Sequence, residues 1–281
     1  MIFDFHTHIF SREVINHRDL YLDDPNFHAI YSLPDARMID QHELLMAMEQ
    51  NGISRSVAMG FPWQTEKNCE KQNRYFSSLG KESSGTIIPF GSIPIKMGVN
   101  VESWVRSIRE QGLSGIGEIA LYHEGFSSRH IDLLEKILNL AAENRLPVCL
   151  HVNEPIGHRY AGKYETSFIE LWALIQRCPG VTLVLAHWGG GIFFYELMPE
   201  IKKGLSNVYY DTAASPLLYD NKIYSIAVNI ASSEKILFGS DYPLIKPSRY
   251  IEPLRRENFN TEVIDNILSK NSLRILHLDD A

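Results

Sequence analysis

The 281-residue sequence predicts a (β/α)8 barrel spanning residues 1–281 as one domain, on three observations. Short apolar runs recur along the whole chain, stretches with helical spacing separate them, and eight such units of about 25–50 residues account for the length. The runs are MIFDF, ISRSVAMG, TIIPFG, SGIGEIAL, LPVCLHV, VTLVLAH, NVYYDT and EKILFGSD. Their continuous apolar character marks strands buried on both faces, as in a parallel sheet covered by helices. That many strand-helix units fit a closed barrel better than an open doubly wound sheet.

Taken in order, the first run carries His6 and His8, two apart and therefore on one face of a strand. The stretch from Ile9 to Asp40 shows no regular period. It carries Tyr21, Phe27, His28 and Tyr31, and an extended loop of that length after strand 1 reads as a lid over the barrel mouth, or else as a surface excursion packing its own aromatics. Asp40 with Glu43 has the form of a capping box opening the first long helix. Pro89 lies inside the third run, where it cannot donate to a ladder, so that strand is expected to be short or interrupted. Ile131, Leu134, Leu138 and Ala141 form one apolar helical stripe. Ile264, Ile267, Leu268 and Ile275 form another behind Thr261, an N-cap candidate.

Composition excludes several function classes. A net charge of −7 and a pI near 5.9 argue against an extended basic face for nucleic acid. No apolar run approaches the roughly 20 residues needed to span a bilayer, and MIFDFHTHIF lacks the basic n-region and cleavage site of a signal peptide. Cys69, Cys149 and Cys178 are odd in number and form no CxxC, which reads as reduced thiols in the cytoplasm.

The eleven histidines matter by position. In a barrel, active sites are built at the C-terminal ends of the strands, and His6 and His8 sit there. Four later runs end in a residue suited to a metal: Glu118 in GIGEIA, His151 in VCLHVNEP, His187 in LVLAHWGGG and Asp241 in LFGSDYP. A buried His or carboxylate without a partner costs several kcal/mol, and a shared cation supplies the compensation. Alternatively, Glu118 is a core carboxylate paired with Arg or His. His17, His42, His123, His130 and His277 have no partner spacing and read as surface or packing residues.

An N-terminal HxH, a strand-five His, a strand-six His followed by glycines and a strand-eight Asp resemble the amidohydrolase superfamily. HWGGG, SDYP and the closing NSLRILHL are similar to its amidohydrolase-related branch, which contains hydrolases, lactonases among them, and metal-dependent decarboxylases such as aminocarboxymuconate semialdehyde decarboxylase. The resemblance implies a divalent metal, usually zinc, with His6, His8, His151 and Asp241 as ligands in single-metal members. It makes His187 a second ligand or a catalytic residue. GIGEIAL is similar to the GEIGL segment of the TatD-type deoxyribonuclease branch, where that Glu binds metal, so Glu118 bears on whether one ion or two are held. The nuclease activity itself does not suit an acidic chain whose FGSDYP lacks that branch's acidic neighbour. The resemblance is also compatible with a homodimer.

These residue types suit hydrolysis of a small carboxylate-bearing ester, lactone or amide. A metal activates water, Asp241 moves the proton, and His187 orients the water or steadies the oxyanion. The alternative is a non-oxidative decarboxylase on the same scaffold. A non-enzymatic metal-binding scaffold would be expected to have lost a proton-transfer residue, yet Asp241 and His187 are both present. In HVNEPIGHRYAGK, Arg159 and Lys163 are candidates to bind a substrate carboxylate, against a reading as ordinary surface charge. Trp63 and Tyr122 are candidate pocket walls, as is Trp188. The HWGGG glycines either offer amides to an anion or make a tight turn.

Overall fold

A computed structural model describes residues 1–122, 125–126 and 128–278; His123 lies outside them. Eight parallel strands follow in order: β1 Phe3–His8, β2 Arg55–Met59, β3 Ile87–Pro89, β4 Ile116–Ile119, β5 Val148–Leu150, β6 Leu183–Leu185, β7 Val208–Asp211 and β8 Ile236–Leu237. They pair as β1-β2-β3 and β4-β5-β6-β7-β8. The two sheets join through the bridge Gly91↔Ile116 and, on the other side, Thr7↔Tyr242. Backbone bonds from Phe5 N to Phe238 O (2.7 Å) and Asp241 N to His6 O (2.9 Å) complete the closure. The barrel expectation holds, run for run.

The strands are buried on both sides because helices cover the outside. The stripe Ile131, Leu134, Leu138 and Ala141 lies buried on the helix Ser128–Glu143. The capping box Asp40–Glu43 opens the helix Gln41–Asn51. The N-cap ahead of Thr261 is Asn260, whose side chain accepts Val263 N; Thr261 is the first helical residue and does not cap. Asn fills this role better, being among the preferred cap residues. The strand with Pro89 ends on that residue, so its missing N–H costs the ladder little.

A β-bulge in β1 decides where the histidines point. Asp4 pairs with Ser56 and Thr7 with Ala58, so Phe5 and His6 together face the single residue Val57. Without it, alternate residues would point opposite ways. With it, Phe3 and Phe5 fill the barrel interior against Val57, Phe90, Cys149, Val184 and Leu237, and His6 is re-aimed to the mouth end of the same interior. Ile275 and Leu273 of the helix Asn271–Ile275, with Leu276 just after it, pack on that cluster.

The stretch from Ile9 to Asp40 is structured. It holds the helices Arg12–Asn16 and Pro25–Tyr31 with a 3-10 turn between them. The loop expectation is corrected here. Asp24 caps the second helix through Asn26 N and Phe27 N, and Pro25 sits at its first position, where a missing N–H is harmless. Its aromatics are fixed in a core: Phe27 stacks on Trp63 at 4.9 Å, and Tyr31 and Phe10 pack edge-on at 5.1 Å. His28 is exposed and takes no part. Among the described residues no helix is long and apolar enough to cross a membrane. All three cysteines are free and buried.

Candidate metal centre

Six side chains from five strand ends converge at the barrel mouth. His6 Nε2 lies 3.0 Å from His8 Nε2, and His8 Nε2 lies 3.3 Å from Asp241 Oδ1. His151 Nδ1 is 2.9 Å from Glu118 Oε1 and 3.0 Å from His187 Nε2. Glu118 sits between these groups: Oε2 is 3.8 Å from His8 Nε2, while Oε1 is 3.4 Å from His187 Nε2. Of the two partners that the core-carboxylate reading of Glu118 allowed, Arg and His, its neighbours are imidazoles. His6, His8 and Asp241 form one set close enough to share an ion, and Glu118, His151 and His187 form another.

Two histidines have their tautomers fixed from outside the cluster. His6 Nδ1 is 2.8 Å from Asp211 Oδ2, and His187 Nδ1 is 3.2 Å from the Ala213 carbonyl. Carboxylate and carbonyl oxygens accept, so each Nδ1 carries the hydrogen and each Nε2 turns a lone pair to the cluster. Those lone pairs face two carboxylates, an acceptor-rich arrangement that only positive charge relieves. His151 Nε2 is buried without a partner. The donor set therefore fits a divalent cation with nitrogen and oxygen ligands.

The same crowding of acceptors favours positive charge on His6 and His187, as protons where no cation is held. Burial alone would raise Asp241, but the hydrogen bond with His8 and the charges of His6, His8 and His187 hold it at about 2. Burial opposes ionisation of Glu118 likewise, and His151 and His6 pull it well below the carboxylate range. His187 stands at about 9: burial lowers it, and Glu118 more than offsets this. Burial and the field of Glu118 push the Tyr122 hydroxyl up.

His187 and Asp241 both adopt φ of +58°, unusual for residues with a Cβ and costing about 1–3 kcal/mol each. Asp211 holds the first, its Oδ1 accepting His187 N at 2.9 Å and Ala213 N at 3.0 Å. Asp4 supports the second, accepting Ser240 N at 2.9 Å and His6 N at 3.2 Å. Sequence reading missed both carboxylates. Asp211 had a signal, since NVYYDT is another run ending in Asp; Asp4 had none, because only the bulge separates its direction from that of His6.

The other candidates fall elsewhere. Tyr122 is at the site, donating to Glu118 Oε2 at 3.4 Å with its ring 5.1 Å from His151. Trp63 is buried in the Phe27 stack and donates to Gln72 Oε1, a packing role. Trp188 is buried and donates to Ser215 Oγ at 2.6 Å. Lys163 is neutralised by Glu154 Oε1 at 2.7 Å and tied to Ile156 O, so it braces its own loop. Arg159 is exposed on that loop. His17, His42 and His277 are exposed and His130 is buried.

The HWGGG glycines make a tight turn. Gly190 has φ +61°, and a Cβ there would lie 2.4 Å from Asn153 O. Gly190→Ala is expected to lose at least about 2 kcal/mol, a fall in melting temperature of at least about 4 °C by calorimetry.

The amidohydrolase family model matches residues 3–278. The chain belongs to the amidohydrolase family. No curated protein matches it in sequence. Similar solved structures include a 5-carboxyvanillate decarboxylase from Novosphingobium aromaticivorans with bound manganese, at TM-score 0.78 and 13% identity over 99% of this chain and 97% of that one. A 2,6-dihydroxybenzoate decarboxylase from Rhizobium gives TM-score 0.73 at 15% identity over 99% of each chain. A dihydroxybenzoic acid decarboxylase from Polaromonas, also with manganese, gives 0.70 at 14% over 100% of this chain and 98% of that one. At such identities the likeness is one of fold.

In this amidohydrolase barrel, Asp211 is expected to govern metal affinity. In Asp211→Asn the remaining oxygen stays with the two backbone donors, and the new NH2 faces His6 Nδ1. That nitrogen must become the acceptor, so the hydrogen moves to Nε2 and blocks a ligand lone pair. Affinity is expected to fall about 10–100-fold in competition titrations against a chromophoric chelator; an unchanged affinity would show that Asp211 does not set the tautomer.

Proposed function

We propose that this amidohydrolase-family chain is a metal-dependent, non-oxidative decarboxylase of a small conjugated or aromatic carboxylic acid. The observation that carries the reading is an aromatic wall beside a nearly closed donor set. Tyr122 packs on His151 and lies within ring contact of Phe61 and Tyr164, and Phe61 continues to Tyr31. Such a wall suits the face of a flat, conjugated acid. The donor set opens to solvent only narrowly: the side chains of His8 and Asp241 are 13% and 11% exposed, those of His151 and His187 9% and 7%. Cleavage of a C–CO2 bond needs a proton and no water as reactant, which suits this enclosure. The manganese-bearing decarboxylases of the same fold support the same direction.

His6, His8, His151, His187, Glu118 and Asp241 would hold one or two divalent ions. A bound ion supplies positive charge for the substrate's oxygens. Asp241, at the open edge, takes a proton from solvent and delivers it to the carbon bearing the carboxylate. The C–C bond then breaks, its electron pair returning to the conjugated system as CO2 leaves. Tyr122 and His151 hold the ring face and exclude water.

Hydrolysis of a carboxylate-bearing ester, lactone or amide is the second reading, favoured by the ionised Asp241, ready as a base, and by Glu118 lying between two ligand sets. A panel separates them. Protein loaded with manganese or zinc is assayed for CO2 release from hydroxybenzoates and dienoic acids, and for hydrolysis of lactones and esters. CO2 release without hydrolysis is the expected result; turnover of esters or lactones alone would overturn the decarboxylase reading.

A further inference from the structure

Tyr122, Tyr164 and Tyr21 stand in the aromatic packing at and behind the barrel mouth, and all bind their hydroxyls within the chain. Tyr122 donates to Glu118 Oε2 at 3.4 Å, Tyr164 to the His151 carbonyl at 2.5 Å and Tyr21 to Glu13 Oε1 at 3.0 Å. Tyr31 differs. The residue is only 7% exposed, its ring packed against Phe10, Phe27 and Phe61. Yet its hydroxyl meets no hydrogen-bond partner among the described residues. Nor is that oxygen sealed off by packing, as the partnerless Nε2 of His151 is.

The hydroxyl lies beside the metal centre. Burial pushes it up, and the charges of Asp241 and Glu118 add to this; it acts in turn on the hydroxyl of Tyr122. The chain fixes the side chain from both ends of its helix. Asp24, ahead of Pro25–Tyr31, accepts Gln64 N at 2.9 Å and Thr65 N at 3.0 Å besides the amides of its own helix. Asn26 donates to the Pro62 carbonyl at 2.7 Å. Past Tyr31, the Arg18 guanidinium donates to the carbonyls of Leu33 at 2.8 Å, Pro34 at 3.2 Å and Ala36 at 2.7 Å. A donor held this firmly loses little freedom when it meets a ligand.

We infer that the Tyr31 hydroxyl donates a hydrogen bond to a second, uncharged oxygen on the bound acid, and so selects acids that carry one. This rests on the reading above, in which the mouth holds a flat carboxylic acid. The acid group belongs with the cation and its ligands, which leaves the donor on the wall for a ring hydroxyl or keto oxygen. The nearby carboxylates favour an uncharged oxygen there over a second anion.

The probes are benzoate, 3-hydroxybenzoate and 4-hydroxybenzoate, titrated calorimetrically into manganese-loaded protein. In neither hydroxy acid can the hydroxyl and the acid group share one cation. At least one of them is expected to bind at least about threefold tighter than benzoate, and in Tyr31→Phe that margin should close to within about 1.5-fold. Phe keeps the ring contacts, and the hydroxyl it removes bonds to nothing in the chain, so the melting temperature should not fall. Neither hydroxy acid exceeding benzoate, or a margin that survives Tyr31→Phe, would overturn the inference and leave the acid reading in place. No saturable binding of any of the three up to about 50 mM would overturn both.

Discussion

Asp241→Asn is expected to lower kcat at least about a thousandfold on whichever acid the substrate panel identifies, with the fold intact. The side chain sits at the open edge of the cluster, 3.3 Å from His8 Nε2, and its neighbours hold it ionised at about 2. Its place at the open edge makes it the group able to exchange protons with solvent and pass them inward. Asn matches its size, and its oxygen can still face His8, so circular dichroism and melting temperature should change little. What it lacks is any site for the travelling proton. Single-turnover kinetics with saturating metal separate this from weakened metal binding. A variant keeping more than about a tenth of wild-type turnover would remove Asp241 from the chemistry and turn attention to His187.

Stripping the metal is expected to abolish activity and to destabilise the barrel together. The Nε2 lone pairs of His6 and His187 face two carboxylates, with Glu118 3.8 Å and 3.4 Å away respectively. A tightly held ion present at about a thousand times its dissociation constant stabilises the folded state by about 4 kcal/mol. For a chain of this size that corresponds to a fall of roughly 8–16 °C in melting temperature on chelation. Scanning calorimetry before and after chelation, then after adding back manganese or zinc, measures both effects. Equal melting temperatures with unaltered activity would mean that the cluster holds no ion the enzyme needs.

Much of this site could be read from the chain because barrels place chemistry where strands end, and a strand end is a local feature. GIGEIA, VCLHV, LVLAH and LFGSD each break an apolar run with a ligand-type residue, and the structure brings all of them together with His6 and His8. What could not be read depends on geometry across strands. The bulge at Phe5 and His6 is set by pairing with β2, which no local pattern encodes. The segment from Ile9 to Asp40 looked irregular because its helices are short, Arg12–Asn16 and Pro25–Tyr31, too short to show a period. Lys163 looked available because charge is visible in sequence, whereas its partner Glu154 is chosen by loop conformation. Trp63 followed a strand closely, yet it belongs to the packing behind the aromatic wall.

The bulged first strand has a further consequence, for how this protein can change over evolutionary time. Substitution at Phe3, Phe5 or His6 alters one contact at a time. Loss or gain of a single residue in the same few positions would instead reverse the facing of everything on one side of it. The chain would then present either phenylalanines to the mouth or histidines to the surrounding helices. Spacing at this point is therefore guarded more strictly than chemistry. Descendants of this barrel can explore new substrates by altering loops, while the strand from Phe3 to His8 must keep its count.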